Sequence, residues 1–382
     1  MITNYQKTFA DMLGVPHAYA FWKGRAALYA ILQALGITRG DEVILPGFTC
    51  VVVPNAIRAV GAIPVYVDIE SETYNLDPLS VEQAVTPRTR AVLVQHTFGI
   101  PANMAAIKDI TTHHHLALIE DCAHALGSTY KGHAVGTLGT AAFFSSQWSK
   151  PYTTGLGGIA TTADPVIGDR LQTVQCKFVF PPTLQLWQLR LQYTVYQWFF
   201  SPQVYWRAME ILHRLSSWNL FVGSSSDYEL NGAMPLDMSW KMSPFQGKVG
   251  IAELQYFSQK QIHRKDLTAM YLEVLEKHGW PLPRIPDDAH TVYLRIPIRV
   301  ANKSELLQQA ATTRIELGSW FESVLHPVQN ALERFGYHQG QCPRAEQTAQ
   351  QVINLPLHSR VSFKEARRIV DFICRNAVAP TA

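Results

Sequence analysis

Short apolar runs alternate with longer amphipathic segments between residues 24 and 163. The runs that predict buried strands are Glu42–Leu45, Ile63–Val67, Ala91–Gln95, Leu116–Glu120 and Ala141–Ser145. The segments with helical spacing are Arg25–Leu35, Val51–Val60, Ser80–Ala84 and Met104–His113. This alternation predicts βαβ units and a mostly parallel sheet, whose chemistry gathers at the carboxyl ends of its strands. The polar residues at such ends are Asp68, His96, Asp121 and Ser145.

The pattern changes twice after residue 163. Residues 164–227 lack the alternation, and Phe245–Glu276 has the apolar spacing of one long helix. The C-terminal segments that alternate between strand and helix again are Val292–Ile298, Lys303–Thr312, Ala345–Asn354 and Ser362–Asn376. We therefore predict an α/β fold with a large domain at residues 1–270 and a smaller C-terminal α+β domain at residues 271–382.

Composition excludes several classes of protein. With 33 Lys and Arg against 30 Asp and Glu, the chain has no basic excess typical of nucleic-acid binding. The five cysteines form no Cys-x-x-Cys pair, which argues against a zinc site or a disulfide framework and favours the reducing cytoplasm. The N-terminus lacks a signal-peptide pattern, and the charge-free stretch Leu191–Trp206 carries too many polar residues to cross a bilayer.

Low charge and high aromatic content are concentrated in one segment, Phe178–Ser226. Charged residues make up 16% of the chain and aromatic residues 11%, and this segment contains Trp187, Trp198, Trp206 and Trp218. We predict an aromatic-rich insertion at about residues 178–226. Three interpretations stay open: extra helices packed on the core or at a subunit interface, a segment lying on a membrane surface, or a lid or docking face for a partner.

Two strand ends carry candidate catalytic groups. In Ile119–Gly127, Asp121 ends a buried strand, where burial of a carboxylate requires a cationic partner; the plain alternative is a helix N-cap. In Phe143–Lys150, a hydroxyl-rich turn follows a strand and delivers Lys150 into an aromatic setting that favours a nucleophilic amine. The plain alternative there is a solvated surface lysine.

Two glycine-containing segments complete the set. Thr153–Gly158 indicates either backbone close to a ligand or a tight turn. Gly24 begins a helix whose N–H groups suit an anion, as does Arg25, although a plain helix start has the same pattern. Together the four segments supply a lysine for a Schiff base, a carboxylate for a pyridinium nitrogen and a helix N-terminus for a phosphate, which is what pyridoxal 5′-phosphate (PLP) requires. The adjacent residues His113–His115 cannot all face one ion, so we predict no metal site.

The order and spacing of these motifs resemble the DegT/DnrJ/EryC1/StrS family of PLP-dependent sugar aminotransferases. The resemblance runs from about Gly24 to Ile373 with one interruption, and its motifs are VQHTFGIPANM, IEDCAHALG, FFSSQWSKPYTTGLGG and NLPLH. It implies the PLP-dependent aminotransferase fold (fold type I), a homodimer with shared active sites, and transfer of an amino group from glutamate to a nucleotide-linked keto-sugar in surface-polysaccharide or natural-product sugar biosynthesis. The alternatives are a sugar dehydratase, a cyclitol aminotransferase and a PLP-binding scaffold without catalysis.

The resemblance also implies a role for five positions. Lys150 matches the lysine that forms the Schiff base with PLP, and Asp121 matches the carboxylate on the pyridinium nitrogen. His124 stands where the family usually has Gln, beside the phenolic oxygen of the cofactor. Ser145 and the backbone at Gly24 match phosphate ligands. Because some relatives that carry His in place of the lysine are dehydratases, Lys150 favours transamination.

Other positions depart from the family pattern. Arg25 replaces a Ser or Thr among the phosphate ligands and could supply charge instead. Ser239 and Lys241 stand where the family has an Asn and an Arg that reach the phosphate of the neighbouring subunit. The residue that covers the cofactor ring is expected to be Phe48 or His96.

Overall fold

The computed structural model describes residues 1–199 and 227–380 of the 382-residue chain. Its helices are α1 (Ile2–Leu13), α2 (Gly24–Ala34), α3 (Val52–Ala59), α4 (Pro78–Ala84), α5 (Met104–His113), α6 (Pro165–Lys177), α7 (Thr183–Phe199), α8 (Asp227–Leu230), α9 (Pro244–Gln255), α10 (Phe257–Lys277), α11 (Lys303–Thr312), α12 (Pro343–Gln351) and α13 (Phe363–Asn376). Its strands are β1 (His17–Phe21), β2 (Glu42–Pro46), β3 (Thr49–Cys50), β4 (Ile63–Val67), β5 (Thr89–Gln95), β6 (Ala117–Asp121), β7 (Thr129–Tyr130), β8 (His133–Ala134), β9 (Ala141–Ser145), β10 (Gly158–Thr162), β11 (Ala289–His290), β12 (Arg295–Arg299), β13 (Leu325–His326) and β14 (Val352–Pro356). The elements predicted between residues 24 and 163 lie within two residues of their predicted bounds.

Seven of the described strands form one sheet, in the order β1-β10-β9-β6-β5-β2-β4. Strands β2, β4, β5, β6 and β9 run parallel, whereas β10 and β1 add antiparallel strands at one edge. Every residue of β2 and β9 is buried, as in parallel sheets that are covered on both faces. The predicted α/β fold with a mostly parallel sheet is confirmed.

The C-terminal part of the chain builds a smaller structure of its own. Strand β12 pairs with β14 in an antiparallel ladder, and α10 packs on α13. Strand β13 pairs in parallel with β3, which brings the loop around residue 325 to the carboxyl edge of the large sheet. The predicted boundary between residues 270 and 271 falls inside α10, and the division into two domains stays a prediction.

The prediction of a single helix over Phe245–Glu276 is wrong. The chain forms α9 and α10 instead, which meet at Tyr256, where φ is −98° and ψ is 6°. Helix α9 packs on α1, with Gly250 so close to the Tyr5 ring that a Cβ would collide with it, while α10 packs on α13. Each helix packs on a different partner, and the apolar spacing continues across the break, so the sequence pattern does not reveal it. The predicted segment Ala345–Asn354 likewise divides into α12 and β14.

Helix α7 is the part of the predicted insertion that the structure describes. Leu189 is fully buried in a small cluster with Trp22, whereas Leu184 and Trp187 on the other face are 69% and 64% exposed. This part is therefore a helix packed on the core, which favours the first of the three interpretations. Residues 200–226, which include Trp206 and Trp218, lie outside the described residues. Across the described chain, no helix combines the length and the apolarity that crossing a bilayer needs.

Candidate active site

The carboxyl edge of the large sheet gathers most of the predicted site residues around one cavity, here named the Asp121 cavity. Asp121 ends β6 and Ser145 ends the neighbouring strand β9. Helix α2 begins beside them, and a Cβ on Gly24 would lie 3.2 Å from the Cβ of Ser145, so glycine keeps space open there. The predicted residues that line this cavity are Gly24, Arg25, Asp121, His124, Ser145 and Lys150.

Burial controls the charge of Asp121. It raises the pKa of the Asp121 carboxyl group to about 6, because a charged carboxylate is poorly solvated inside the protein. The N–H of Ala123, which donates to Oδ1 at 2.9 Å, and the positive charge of Lys150 act in the opposite direction. A cationic N–H placed against this carboxylate would stabilise its ionised form in the same way. Asp121 is therefore suited to hold a protonated ring nitrogen.

Burial acts on Lys150 in the opposite sense, since the charged form of lysine is the protonated one. It lowers the pKa of the Lys150 amine to about 8, although the negative charge of Asp121 opposes the shift. The Nζ atom lies 4.9 Å from the centroid of the Trp320 ring, which lines the same cavity. With this pKa, roughly one Lys150 amine in ten is unprotonated and nucleophilic at neutral pH.

His124 is held as a neutral hydrogen-bond donor. The backbone N–H of Phe98 donates to its Nδ1 atom at 3.3 Å, which leaves the ring proton on Nε2. Its ring stacks 5.7 Å from Trp320 and 5.9 Å from Phe321. Burial, reinforced by the charge of Lys150, holds the pKa of His124 well below its usual value. The imidazole therefore keeps one N–H available without becoming charged.

Two buried ion pairs hold the start of α2. Arg25 pairs with Glu229, and Lys23 Nζ lies 2.6 Å from Asp237 Oδ2. Lys23 is the N-cap residue and supplies no side-chain cap, while its carbonyl oxygen accepts the N–H groups of Ala26 and Ala27. The charge of Arg25 is matched by Glu229, a residue that the sequence analysis missed. The helix N-terminus and Ser145 are therefore the elements suited to a phosphate.

Comparison with known proteins identifies the scaffold. A model of the DegT/DnrJ/EryC1/StrS aminotransferase family matches residues 1–188 and 206–374. The chain belongs to this family. The unmatched residues 189–205 fall inside the predicted insertion and include residues 189–199 of α7. The family is PLP-dependent, which confirms the predicted cofactor and enzyme class.

Three relatives place the chain within the family. The L-glutamine:2-deoxy-scyllo-inosose aminotransferase of Streptomyces kanamyceticus is 43% identical over 169 residues, which cover 44% of this chain but only 40% of that protein. The dTDP-3-amino-3,6-dideoxy-alpha-D-galactopyranose transaminase of Aneurinibacillus thermoaerophilus is 28% identical over 98% of this chain and 89% of its own. The solved structure of DesV from S. venezuelae has a TM-score of 0.77 and 28% identity, with 98% of this chain and 88% of that one covered.

The Asp121 cavity fits the cofactor of the family. An amine, a carboxylate, a hydroxyl and an uncapped helix N-terminus line it together, at Lys150, Asp121, Ser145 and Gly24. The close approach of Gly24 to Ser145 forms a cradle that a Cβ would fill. These are the groups that a pyridine ring with an aldehyde and a phosphate needs on its three sides.

The sequence analysis missed three residues that line this cavity, Trp320, Phe321 and His326. They come from the loop around β13, which reaches the site because β13 pairs with β3. Burial lowers the pKa of His326 to about 4, so it is neutral at physiological pH. The one local signal for these residues was the aromatic pair Trp320 and Phe321, which lies in a stretch without strand or helix spacing and far in sequence from the recognised motifs.

Phe48 and His96, expected to cover the cofactor ring, lie elsewhere. Phe48 is fully buried and meets Phe321 edge-on, with ring centroids 4.9 Å apart, so it lies one layer behind the residue that lines the cavity. The N–H of Ala102 donates to His96 Nδ1, while His96 Nε2 lies 3.1 Å from Glu120. The expectation that Phe48 or His96 covers the cofactor ring is corrected, because both residues pack behind the cavity wall and do not line the cavity.

Ser239 and Lys241 lie outside the lining of this cavity. The carbonyl oxygen of Ser239 accepts the N–H of Val179, and Lys241 Nζ donates to the carbonyl oxygen of Cys176 at 3.1 Å. Both residues therefore lie against the end of α6 and the segment that connects it to α7. Their contact with the phosphate of a neighbouring subunit stays a prediction.

Within the described chain, His96, Glu120 and Cys122 bring potential metal-ligating atoms within 4.8 Å of one another. Both carboxylate oxygens of Glu120 already accept hydrogen bonds, from the backbone N–H groups of Gly136, Leu138 and Gly139. We assign this group to loop anchoring. In the run His113–His115, the middle histidine lies 2.8 Å from Glu82 on the neighbouring helix α4.

Proposed function

We propose that the chain is an aminotransferase that moves an amino group from glutamate to a nucleotide-linked keto-sugar. The observation that carries this proposal is the convergence of Lys150 and Asp121 in one cavity with Ser145 and the start of α2. In the overall reaction a C–N bond of the donor breaks and one forms at the ketone carbon, while the donor leaves as a 2-oxo acid. The full-length likeness to a dTDP-sugar transaminase supports a nucleotide-linked acceptor.

Each residue around the Asp121 cavity has a distinct task in this reaction. PLP, when bound, supplies an electron sink for negative charge at the substrate carbon. Asp121 would hold the proton on the ring nitrogen, and the N–H groups at the start of α2 with the Ser145 hydroxyl would hold the phosphate. Lys150 would hold the cofactor through its amine, and the same amine would carry the proton at the substrate carbon.

A variant of Lys150 tests this function directly. The purified protein should absorb visible light as the lysine-bound cofactor does, and Lys150→Ala should lose this absorption together with amination of a keto-sugar panel. Amine-containing products are identified by mass spectrometry. A wild-type protein that binds PLP but aminates no ketone of the panel would instead support the non-catalytic scaffold.

A cyclitol ketone is the second candidate acceptor. A region of 169 residues is 43% identical to an enzyme named for 2-deoxy-scyllo-inosose. The same panel separates the two acceptors when it includes scyllo-inosose beside nucleotide-linked keto-sugars. A sugar dehydratase is disfavoured, because Lys150 is present at the position where the resemblance associates His with dehydration.

We also propose a cytoplasmic homodimer with shared active sites. Ser239 and Lys241 stand at the positions that in the family reach the neighbouring subunit, and all five cysteines are free thiols. Mixed dimers of Lys150→Ala with a Ser239→Ala/Lys241→Ala double variant test the sharing. Shared sites predict that mixing two weakly active variants recovers activity, whereas independent sites predict no recovery.

A further inference from the structure

A second cavity, here named the Arg360 cavity, lies next to the Asp121 cavity and has a volume of about 730 Å³. Lys150 lines both cavities, so a molecule in the second one has access to the reactive amine. Its walls come from the loop Trp148–Thr153, from Tyr196 of α7 and from residues 356–360 after β14. The volume is in the range of cavities that bind small organic ligands.

The lining of the Arg360 cavity is rich in positive charge. The cations among its described lining residues are Lys150, Lys260, Arg264, Arg295 and Arg360. The acidic ones are Glu253, which is ion-paired with Lys260 at 2.7 Å, and Glu316, which is hydrogen-bonded to His358 at 2.9 Å. A cavity of this charge concentrates anionic ligands.

Arg295 and Lys150 approach the same aromatic ring. The Cζ atom of Arg295 lies 4.9 Å from the centroid of Trp320, and Lys150 Nζ lies at the same distance from that centroid. A planar guanidinium beside the reactive amine can bind a carboxylate or a phosphate through two parallel hydrogen bonds. A substrate whose reacting carbon lies beside the Lys150 amine would therefore have an anion-binding group close to it.

Arg360 is positioned by the insertion. Its Cζ atom lies 4.1 Å from the centroid of the Tyr196 ring, and its Nη2 atom donates to the Tyr196 carbonyl oxygen at 3.4 Å. The Tyr196 ring in turn packs 4.9 Å from the ring of Trp148, two residues before Lys150. Tyr196 belongs to residues 189–205, which the family model leaves unmatched. A helical segment that lies outside the family match thus orients a cation in the cavity wall.

We propose that the Arg360 cavity binds the anionic group of the substrate, with Arg295 and Arg360 as ligands and Tyr196 as the residue that positions Arg360. The chemistry fits either the carboxylate of the amino donor or the phosphates of a nucleotide-linked acceptor. This inference rests on the proposed function, because it assigns the same reaction a substrate-binding surface that includes the insertion.

The two half-reactions of the holoenzyme distinguish these sources. Conversion of the cofactor by glutamate and its regeneration by the keto substrate are followed separately by stopped-flow absorbance. Arg295→Gln and Arg360→Gln should raise KM of one half-reaction roughly ten- to a hundred-fold, the effect of losing a charged hydrogen bond. A raised KM for the donor, together with weaker binding of glutarate, identifies the carboxylate as the bound group. A raised KM for the acceptor, together with weaker binding of inorganic pyrophosphate, identifies the phosphates instead.

Variants of α7 test the positioning role. Tyr196→Ala should raise the same KM with little change in kcat, and Tyr196→Phe, which keeps the ring under Arg360, should behave as the wild type. Leu184→Ala on the exposed face of α7 is the matched control and should change neither constant. Circular dichroism and the cofactor spectrum verify that each variant is folded and loaded.

One result would overturn the proposal: unchanged KM in both half-reactions, with unchanged binding of both probes, in folded and loaded Arg295→Gln and Arg360→Gln. This result is distinct from failure of the proposed function. In that case the wild type would aminate no ketone, while the binding of glutarate and pyrophosphate to the holoenzyme would still report on the cavity.

Discussion

The guanidinium of Arg25 is ion-paired with the carboxylate of Glu229 at the wall of the Asp121 cavity, and both side chains are at most 2% exposed. The pair joins the start of α2 to the chain that returns after the insertion. Two charges taken out of water together depend on each other, since neither is well solvated alone. A glycine-led helix N-terminus is thus held in place by a residue far away in the sequence.

Glu229→Gln should lower the free energy of unfolding by about 3–5 kcal/mol, because it leaves the charge of Arg25 buried without its carboxylate. The double variant Arg25→Thr/Glu229→Gln removes both charges and should recover most of that loss. Urea unfolding of the apoprotein measures both. A double variant no more stable than Glu229→Gln would show that the two side chains are not energetically coupled.

Cofactor capture should depend on pH through Lys150. Only the neutral amine attacks an aldehyde, so the rate at which the apoprotein captures PLP should rise with pH and level off above about 8. Asp121→Asn removes the charge that raises the pKa of Lys150, so the midpoint should move to lower pH. Stopped-flow absorbance at a series of pH values gives both midpoints. A midpoint near the ordinary lysine value would contradict the burial of this amine.

The N–H of His124 should be replaceable by an amide. His124→Gln restores the family residue and keeps a donor, so its affinity for PLP should stay near the wild-type value. His124→Ala should weaken PLP binding roughly ten-fold, the effect of one lost hydrogen bond. Because burial keeps His124 neutral, the cofactor spectrum of the wild type should show no transition from this residue between weakly acidic and neutral pH. Equilibrium dialysis and a spectral titration provide the two measurements.

Gly24→Ala should weaken binding of the phosphate. The added Cβ would lie 3.2 Å from the Cβ of Ser145 and would narrow the cradle at the start of α2. The loss of affinity should be large for PLP and absent for pyridoxal, which lacks the phosphate. Equal losses for the two ligands would place the effect of the methyl group elsewhere in the cavity.

Local signals were sufficient for two residues at the edge of the sheet that line the Asp121 cavity. Asp121 and Ser145 end neighbouring parallel strands, and the alternation of apolar runs already indicated both strand ends. The N-terminus of α2 was equally visible, because Gly24 stands directly before a helical pattern. Parallel sheets bring their carboxyl ends to one edge, so these positions converge whatever the loops do.

The same reasoning could not predict contacts between segments that are distant in the sequence. Glu229 and Trp320 lie in stretches without periodic pattern, and only tertiary packing brings them to the site. Phe48 was placed one layer too far forward, since a sequence does not reveal which of two aromatic rings in edge-on contact faces the cavity. The break at Tyr256 escaped for a related reason: two helices with different partners can share one apolar spacing.

The contacts of Tyr196 and Glu229 have a practical consequence for shortening this enzyme. The insertion and the chain directly after it meet the active site at two places: Tyr196 of the insertion lies against Arg360, and Glu229 after it is paired with Arg25. A truncation that joins residue 182 directly to residue 235 would therefore remove two supports of the active site as well as a surface feature. Engineered chimaeras that exchange this segment between enzymes should keep both anchoring residues and place their junctions between them.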